Sequence, residues 1–305
     1  MSEDPTLPRE DTGFDRVLAF SLPNRHARGR VVRLGPVLET VLSAHAYPPV
    51  VKHLLAEALV MTSLMGSLLK EEGAQLTIQA QAEGGLVDMM VCDYRDGEVR
   101  GYVHFDAEKF ADMQDEELQL DLPALFGTGY LAITFDLAAT KKRYQGVVPL
   151  EGASLADACE AYFAQSEQVP TLLRISVRSN GERCMAGGLL MQFLPDGEEG
   201  QARLHAQEDH PDWEHVSVMA GSVQRDELLD PVLTLEELLW RLFHEEDEVR
   251  VEPLVLLQRG CRCTVEHYKT ILSRFPEDQL ADMREEDGTI PVDCAFCSKV
   301  LNIPV

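Results

Sequence analysis

The clearest signal in the chain is an alternation of polar and apolar residues. QLTIQAQA, at 75–82, changes character at every position, as a strand with one buried face does. Similar runs at 86–94, 98–105, 130–137 and 143–150 predict a series of strands, with Gly84-Gly85 and Asp96-Gly97 as turns. Two more strands are expected at 171–178 and 185–194, joined by a turn at Asn180-Gly181. Before the strands the period changes to threes and fours. A helix is expected to start at Pro36, and a second to run over 49–70 with proline at its start. In the second, Leu55, Ala58, Leu59, Met65, Leu68 and Leu69 recur at helical spacing, while Leu54, Val60, Met61 and Leu64 make it apolar on most sides. Such a helix belongs in the interior, against a sheet.

Ser154 is placed to cap a helix that runs to about residue 165 and stops before Pro170. Past an acidic, glycine-punctuated break after Leu194 the pattern is helical, over about 211–222 and 235–244. The latter opens with Thr234 and Glu237, a capping box, and its apolar face of Leu235, Leu238, Leu239, Leu242 and Phe243 needs a surface to pack on. The expected class is α+β. It comprises an N-terminal, mainly antiparallel sheet with packed helices, a helical linker and a small C-terminal module bearing four cysteines. The expected boundaries are a disordered lead-in at 1–15, an α+β domain at 16–195, an acidic helical linker at 196–255 and a terminal module at 256–305.

Charge narrows the partners. The chain carries 27 Lys+Arg against 52 Asp+Glu, a net charge of -25, which opposes binding to nucleic acid and to anionic membranes. Between Asp196 and Arg250 there are 16 acidic and 4 basic residues, so the acidity is concentrated in the linker. The reading is a solvated face or a weakly packed segment whose stability can be switched. The longest apolar run, ALVMTSLMGSLL, is too short to span a bilayer, and the polar start MSEDPTLPRE argues for a cytoplasmic location.

In that compartment cysteines occur as free thiols or metal ligands far more often than as structural disulfides. Of 7 cysteines, four form two tight pairs, Cys261-Arg-Cys263 and Cys294-Ala-Phe-Cys297. A terminal module this small needs a staple, and two chelating thiol pairs suit one zinc ion held by Cys261, Cys263, Cys294 and Cys297. The segment between them reads as a compact helical unit, with Thr264 capping a helix through Arg274, Pro276 starting another and Gly288 ending it. Arg259, Arg262 and Lys299 favour thiolate. Each pair could also close on itself on oxidation, and a sulfur in a disulfide no longer binds metal. An inert zinc ribbon and an oxidant sensor both satisfy these facts. An iron–sulfur cluster shares the ligand type but matches no ferredoxin spacing.

Other candidates read as structural. Cys92, Cys159 and Cys184 are isolated and expected to be buried and inert. His205, His210 and His215 recur at a spacing that suits no chelating element and are expected in solvated loops. Arg25, Arg28, Arg30 and Arg33 are expected in salt bridges, Gly66 in helix packing and Gly73 at a helix end. No phosphate-cradling loop is present, so ATP has no place, and no glycine-flanked serine nucleophile is found. A thiol–disulfide oxidoreductase using Cys294 and Cys297 would need a helix after the motif, yet the chain continues for only eight residues.

The stretches GRVVRLGPVLETVLSAHAYPPVVKHLLAEALVMTSLMGSLLK, LTIQAQAEGGLVDMMVCDY, RGYVHF, CMAGGLLMQFLP and EEDGTIPVDCAFC, with the C-x-C and C-x-x-C order, carry a resemblance covering nearly the whole chain. The chain resembles the 33-kDa heat-shock family of redox-regulated chaperones. The resemblance implies a zinc-bound, inactive reduced form and, on oxidation, the disulfides Cys261–Cys263 and Cys294–Cys297. It further implies zinc release, unfolding of module and linker, and an active homodimer that holds unfolding client proteins without ATP. The chain departs from that family after the last pair, where SKVLNI replaces an expected aromatic.

Overall fold

The computed structural model describes residues 13–112, 121–179, 183–194 and 209–304. The expected lead-in therefore lies outside the described residues up to position 12, as do His205 and the Asn180-Gly181 turn. Asp15, within the expected lead-in, is tied into the fold. Its N–H donates to the Arg33 carbonyl at 2.7 Å, and its carboxylate accepts from the Gly35 and Val37 N–H groups at 2.9 and 3.0 Å.

A hairpin that the alternation did not announce opens the structure: β1 (Arg16–Leu22) and β2 (Ala27–Leu34), joined through a 3-10 turn at Pro23–Arg25. Arg28, Arg30 and Arg33 interrupt the pattern, and β2 is covered on both faces, so its burial does not alternate. The helices α1 (Pro36–Leu42) and α2 (Pro49–Gly66) follow. Next comes the meander β3 (Gln75–Gly84), β4 (Val87–Arg95) and β5 (Glu98–Phe105). Asp96 and Gly97 both take positive φ, 49° and 82°, in the β4–β5 turn, the hairpin geometry this dipeptide favours. Short helices α3 (Ala107–Asp112) and α4 (Leu122–Phe126) lead to β6 (Gly127–Leu137) and β7 (Lys142–Pro149). α5 (Leu155–Tyr162), with the capping box from Ser154 to Asp157, precedes β8 (Thr171–Ser179) and β9 (Cys184–Phe193).

The strands form two sheets. One carries β2, β9 and β8 beside β1; the other runs β5-β4-β3-β6-β7. α2 lies between them, packed on β2, β8 and β9 on one side and on β3, β4 and β5 on the other. This explains its nearly all-round apolar character: Leu55, Ala58, Leu59, Val60, Met61, Leu64 and Met65 are all fully buried. The helix ends at Gly66 and not at 70; a Cβ there would stand 2.2 Å from the Tyr94 ring.

The far face of the first sheet is apolar as well. It is covered by α6 (Pro211–Gly221), α7 (Arg225–Leu229) and α8 (Leu235–Phe243). Leu235, Leu238, Leu239, Leu242 and Phe243 of α8 join one cluster with Leu18, Phe20, Val31, Leu189, Met191 and Phe193 of the sheet. The linker is not helical to its end. β10 (Arg250–Val251) and β11 (Val255–Leu256) pair with β1, and β12 (Gln258–Arg259) pairs in parallel with β5. Strands this short carry no readable period. They cover one edge of each sheet, at β1 and at β5, and Leu257 is buried in the main core.

The terminal module contains α9 (Val265–Leu272), α10 (Glu277–Met283) and the hairpin β13 (Thr289–Asp293) with β14 (Val300–Pro304). Gly288, expected to end a helix, instead turns the chain into β13 with φ 80°. The segment that replaces the expected aromatic forms β14, and its Ile303 is fully buried with Leu272, Leu280 and Ile290.

Candidate metal centre

Two turns build the site. Cys261 and Cys263 lie in the irregular segment between β12 and α9, where the β12 pairing with β5 fixes the approach of the chain. Gly260 N–H donates to the Val99 carbonyl at 2.9 Å. Thr264 caps α9 by accepting from the His267 N–H, so the helix starts directly after the first pair. Cys294 and Cys297 occupy the β13–β14 turn. The Cys297 and Ser298 N–H groups donate to the Cys294 carbonyl at 3.1 and 2.8 Å, and Ser298 takes φ 54°.

These turns bring the four sulfurs within 4.8 Å of one another. Cys261 Sγ lies 3.3 Å from Cys263 Sγ and 3.6 Å from Cys294 Sγ, and Cys263 Sγ lies 3.5 Å from Cys297 Sγ. A tetrahedron of thiolates with metal–sulfur bonds of about 2.3 Å has edges of about 3.8 Å. The cluster is close to that size and could bind a metal. Cys294 is buried and the other three are partly exposed. Burial disfavours its thiolate, but hydrogen bonds from the Tyr268 hydroxyl, the Phe296 N–H and the neighbouring Cys297 and Cys261 thiols outweigh it, bringing Cys294 down to about 7. Burial and the adjacent sulfurs hold Cys263 well above the ordinary thiol range. Four thiolates this close are mutually repulsive, and a divalent cation relieves that repulsion.

Among the described residues this is the one cluster of three or more metal-type side chains. Cys92 and Cys159 are fully buried in the body, where burial raises both thiols; Cys184 is pushed up to about 11 for the same reason. His210 and His215 are structural instead. His210 Nδ1 accepts from the Asp212 N–H at the start of α6, and His215 Nε2 lies 2.6 Å from Glu246. The expected arginine salt bridges hold for Arg25, which reaches Asp212 and Glu246, both at 2.9 Å. Arg33 differs: buried in β2, it donates to the carbonyls of Leu228, Leu233 and Glu227 in the linker. Arg30 donates to the Ser67 carbonyl.

Comparison with known proteins now bears on this arrangement. The family model described as Hsp33 protein matches residues 15–304. The chain belongs to the Hsp33 family. The 33 kDa chaperonin of Caulobacter vibrioides is 40% identical over 300 residues, covering 96% of each chain. That of Serratia proteamaculans is 35% identical over 94% of this chain and 91% of its own. A crystal structure of the 33 kDa chaperonin from Thermotoga maritima superposes with a TM-score of 0.77 over 95% of both chains at 24% identity, a likeness of fold. Family membership makes the protein a chaperone and not an enzyme, which sets aside disulfide turnover by Cys294 and Cys297. No helix among the described residues is long and apolar enough to cross a membrane.

The sequence placed the four cysteines in one site. It did not reveal Tyr268, which stands on α9 one turn after the first pair, nor the residues of the body that the two cysteine turns touch.

Proposed function

We propose that the protein is a redox-regulated, ATP-independent holdase of the cytoplasm, whose four cysteines hold its chaperone surface closed. The observation that carries this is the placement of the sulfur cluster at the end of a linker that covers an apolar sheet face. In the reduced state Cys261, Cys263, Cys294 and Cys297 hold one zinc ion, which neutralises the thiolates and folds a module with very little core of its own. Oxidation forms Cys261–Cys263 and Cys294–Cys297. Each bond takes two electrons from two thiolates, and each peroxide that accepts them is reduced to two waters with two protons. Sulfurs so bonded no longer bind metal, and the module loses its staple.

The linker is the next part to yield. Its helices bury Trp213, Val216, Leu228, Leu238, Leu239 and Phe243 on the first sheet, and its strands pair only two residues at a time. Freed from the module, it uncovers Leu18, Phe20, Met191 and Phe193 together with the β1 and β5 edges. Those surfaces bind the exposed apolar segments of unfolding or oxidised client proteins, and the active form is a homodimer.

The test follows zinc and client together. Reduced protein is treated with peroxide at mild heat while a colorimetric chelator reports zinc and light scattering reports aggregation of a thermally unfolding client. Loss of one zinc per chain with simultaneous protection, both reversed by thiol reductant, is the expected result. Zinc that stays bound, or zinc loss without protection, leaves the cysteines as a structural clasp.

A further inference from the structure

The contacts between the module and the second sheet have an arrangement that the chaperone reading does not require. The residue inside the first cysteine pair, Arg262, donates from Nη1 to Gln75 Oε1 at 2.5 Å. Inside the second pair, Phe296 lies with the Arg100 guanidinium over its ring at 4.0 Å, and meets the Tyr102 ring edge-on at 5.0 Å. These two landing points are joined. Gln75 Nε2 donates to Thr77 Oγ1 at 3.0 Å, and Thr77 Oγ1 donates to Asp93 Oδ1 at 2.7 Å. Asp93 Oδ2 in turn accepts from Arg100 Nε and Nη2 at 2.8 and 2.6 Å. A single line of side chains therefore crosses β3, β4 and β5, with one cysteine turn anchored at each end. Asp93 is only 3% exposed, so Arg100 is fixed where Phe296 needs it.

We infer that Arg262 and Phe296 are the positioning residues that couple the state of the cysteine pairs to the body, each reading the pair in which it stands. This rests on the holdase reading above. Closing a pair draws its sulfurs, 3.3 Å apart in the first pair and within 4.8 Å in the second, to a bond of about 2.05 Å. The one or two residues enclosed by so small a ring cannot keep their backbone conformation, so the anchor they carry is displaced. Displacing both anchors frees the module from the line. Further ties are β12 on β5, a two-residue pairing, and His45, which meets the Ser298 hydroxyl at 2.9 Å and the Ala295 backbone.

The test needs neither oxidant nor client. In reduced, zinc-loaded Arg262→Ala/Phe296→Ala protein, amide exchange is followed at Gln258 and Gly260, whose N–H groups donate to Gly97 and Val99 of the body. Bound zinc is counted in parallel. The double substitution should raise exchange at both amides by roughly tenfold or more, each single one by less, with one zinc per chain retained. Unchanged exchange in the double variant overturns the inference, because docking would then rest on β12 and Ser298. Should the double variant lose zinc, Gln75→Leu/Arg100→Gln/Tyr102→Leu removes the body's side of both anchors and leaves both cysteine turns untouched. Continued protection there likewise overturns it. Failure of the holdase reading would appear instead in oxidised wild-type protein that gives no protection, an outcome independent of these exchange rates.

Discussion

The body and the terminal module are folded by different means. In the body, α2 is enclosed by a sheet on each side, and the resulting core runs from Val17 to Leu257. In the module, Leu272, Leu280, Ile290 and Ile303 are the buried apolar residues, and the sulfur cluster stands beside them. A core of that size does not offset the entropy of ordering the segment, whereas the core of the body does. The lesson is that a switch can be built by giving one region an interior and the other only a staple. On the holdase reading proposed above, chemistry at the staple would unfold one region and spare the other.

Removing the metal is the strongest way to break this contrast. A tight chelator added to reduced protein should collapse the module outright, since metal binding supplies on the order of 10–16 kcal/mol in small zinc modules. Methyl resonances of Ile290 and Ile303 should lose their dispersion while those of Ile78 and Ile133, fully buried in the body, keep theirs. Dispersed Ile303 signals in metal-free protein would show that the module has a sufficient core after all.

The body holds a pH-dependent weakness of its own, of smaller size. Glu57 on α2 is pushed up to about 7, chiefly by burial, against hydrogen bonds from the N–H groups of Ala156 and Leu155 and with Asp157 adding repulsion. Its folded pKa is raised, so the neutral carboxyl costs nothing at low pH. Stability then falls as pH rises from about 4.5 through 7. The loss amounts to up to about 3 kcal/mol above neutrality. Glu57→Gln should keep the two backbone bonds and remove this slope. Denaturant melts at pH 5 and pH 8 should differ in the wild type and converge in the variant. A wild-type body equally stable at both values would place the Glu57 carboxylate in a better solvated site than its burial implies.

How much of this was legible depended on whether the signal was local. The strands β3 to β7, the buried α2, the helix cap at Ser154 and the capping box at Thr234 are short-range patterns, and all were readable. The cysteine pairs were readable for the same reason, since each is a local spacing, and the four sulfurs lie within 4.8 Å of one another. The β1–β2 hairpin was hidden because Arg33, which reads as a surface residue, is buried and satisfied by carbonyls some two hundred residues later in the chain. Gln75 and Thr77 were hidden in the opposite sense. As the polar half of an alternating strand they read as solvent-facing, but they are the surface on which the module lands. Only tertiary contact distinguishes a wet face from a docking face.

The linker lies between the two regimes, and the smallest effect is expected there. It is pinned to the β1–β2 turn by Arg25, which bridges Asp212 in the first turn of α6 and Glu246 after α8 ends. Glu246 has a side chain only 5% exposed and also meets His215 at 2.6 Å. Burial disfavours its charge, yet the hydrogen bonds from Arg25 and His215 hold its carboxyl below the usual range. The clasp is therefore present above the ordinary carboxylate range and lost as pH falls through it. Arg25→Ala removes two ion pairs that are partly exposed at the arginine end, a loss of about 1 kcal/mol confined to linker docking. Amide exchange in α6 and α8 should quicken about fivefold, with the module's zinc content and the melting of the body unchanged. If the body's melting falls with it, the linker is part of the body's cooperative unit and not a separately releasable cover. The contrast between a cored region and a stapled one would then have no intermediate. If only α6 and α8 respond, the chain is graded in stability from α2 outward, and oxidation at the cysteines needs to remove only the outermost support for the linker to follow.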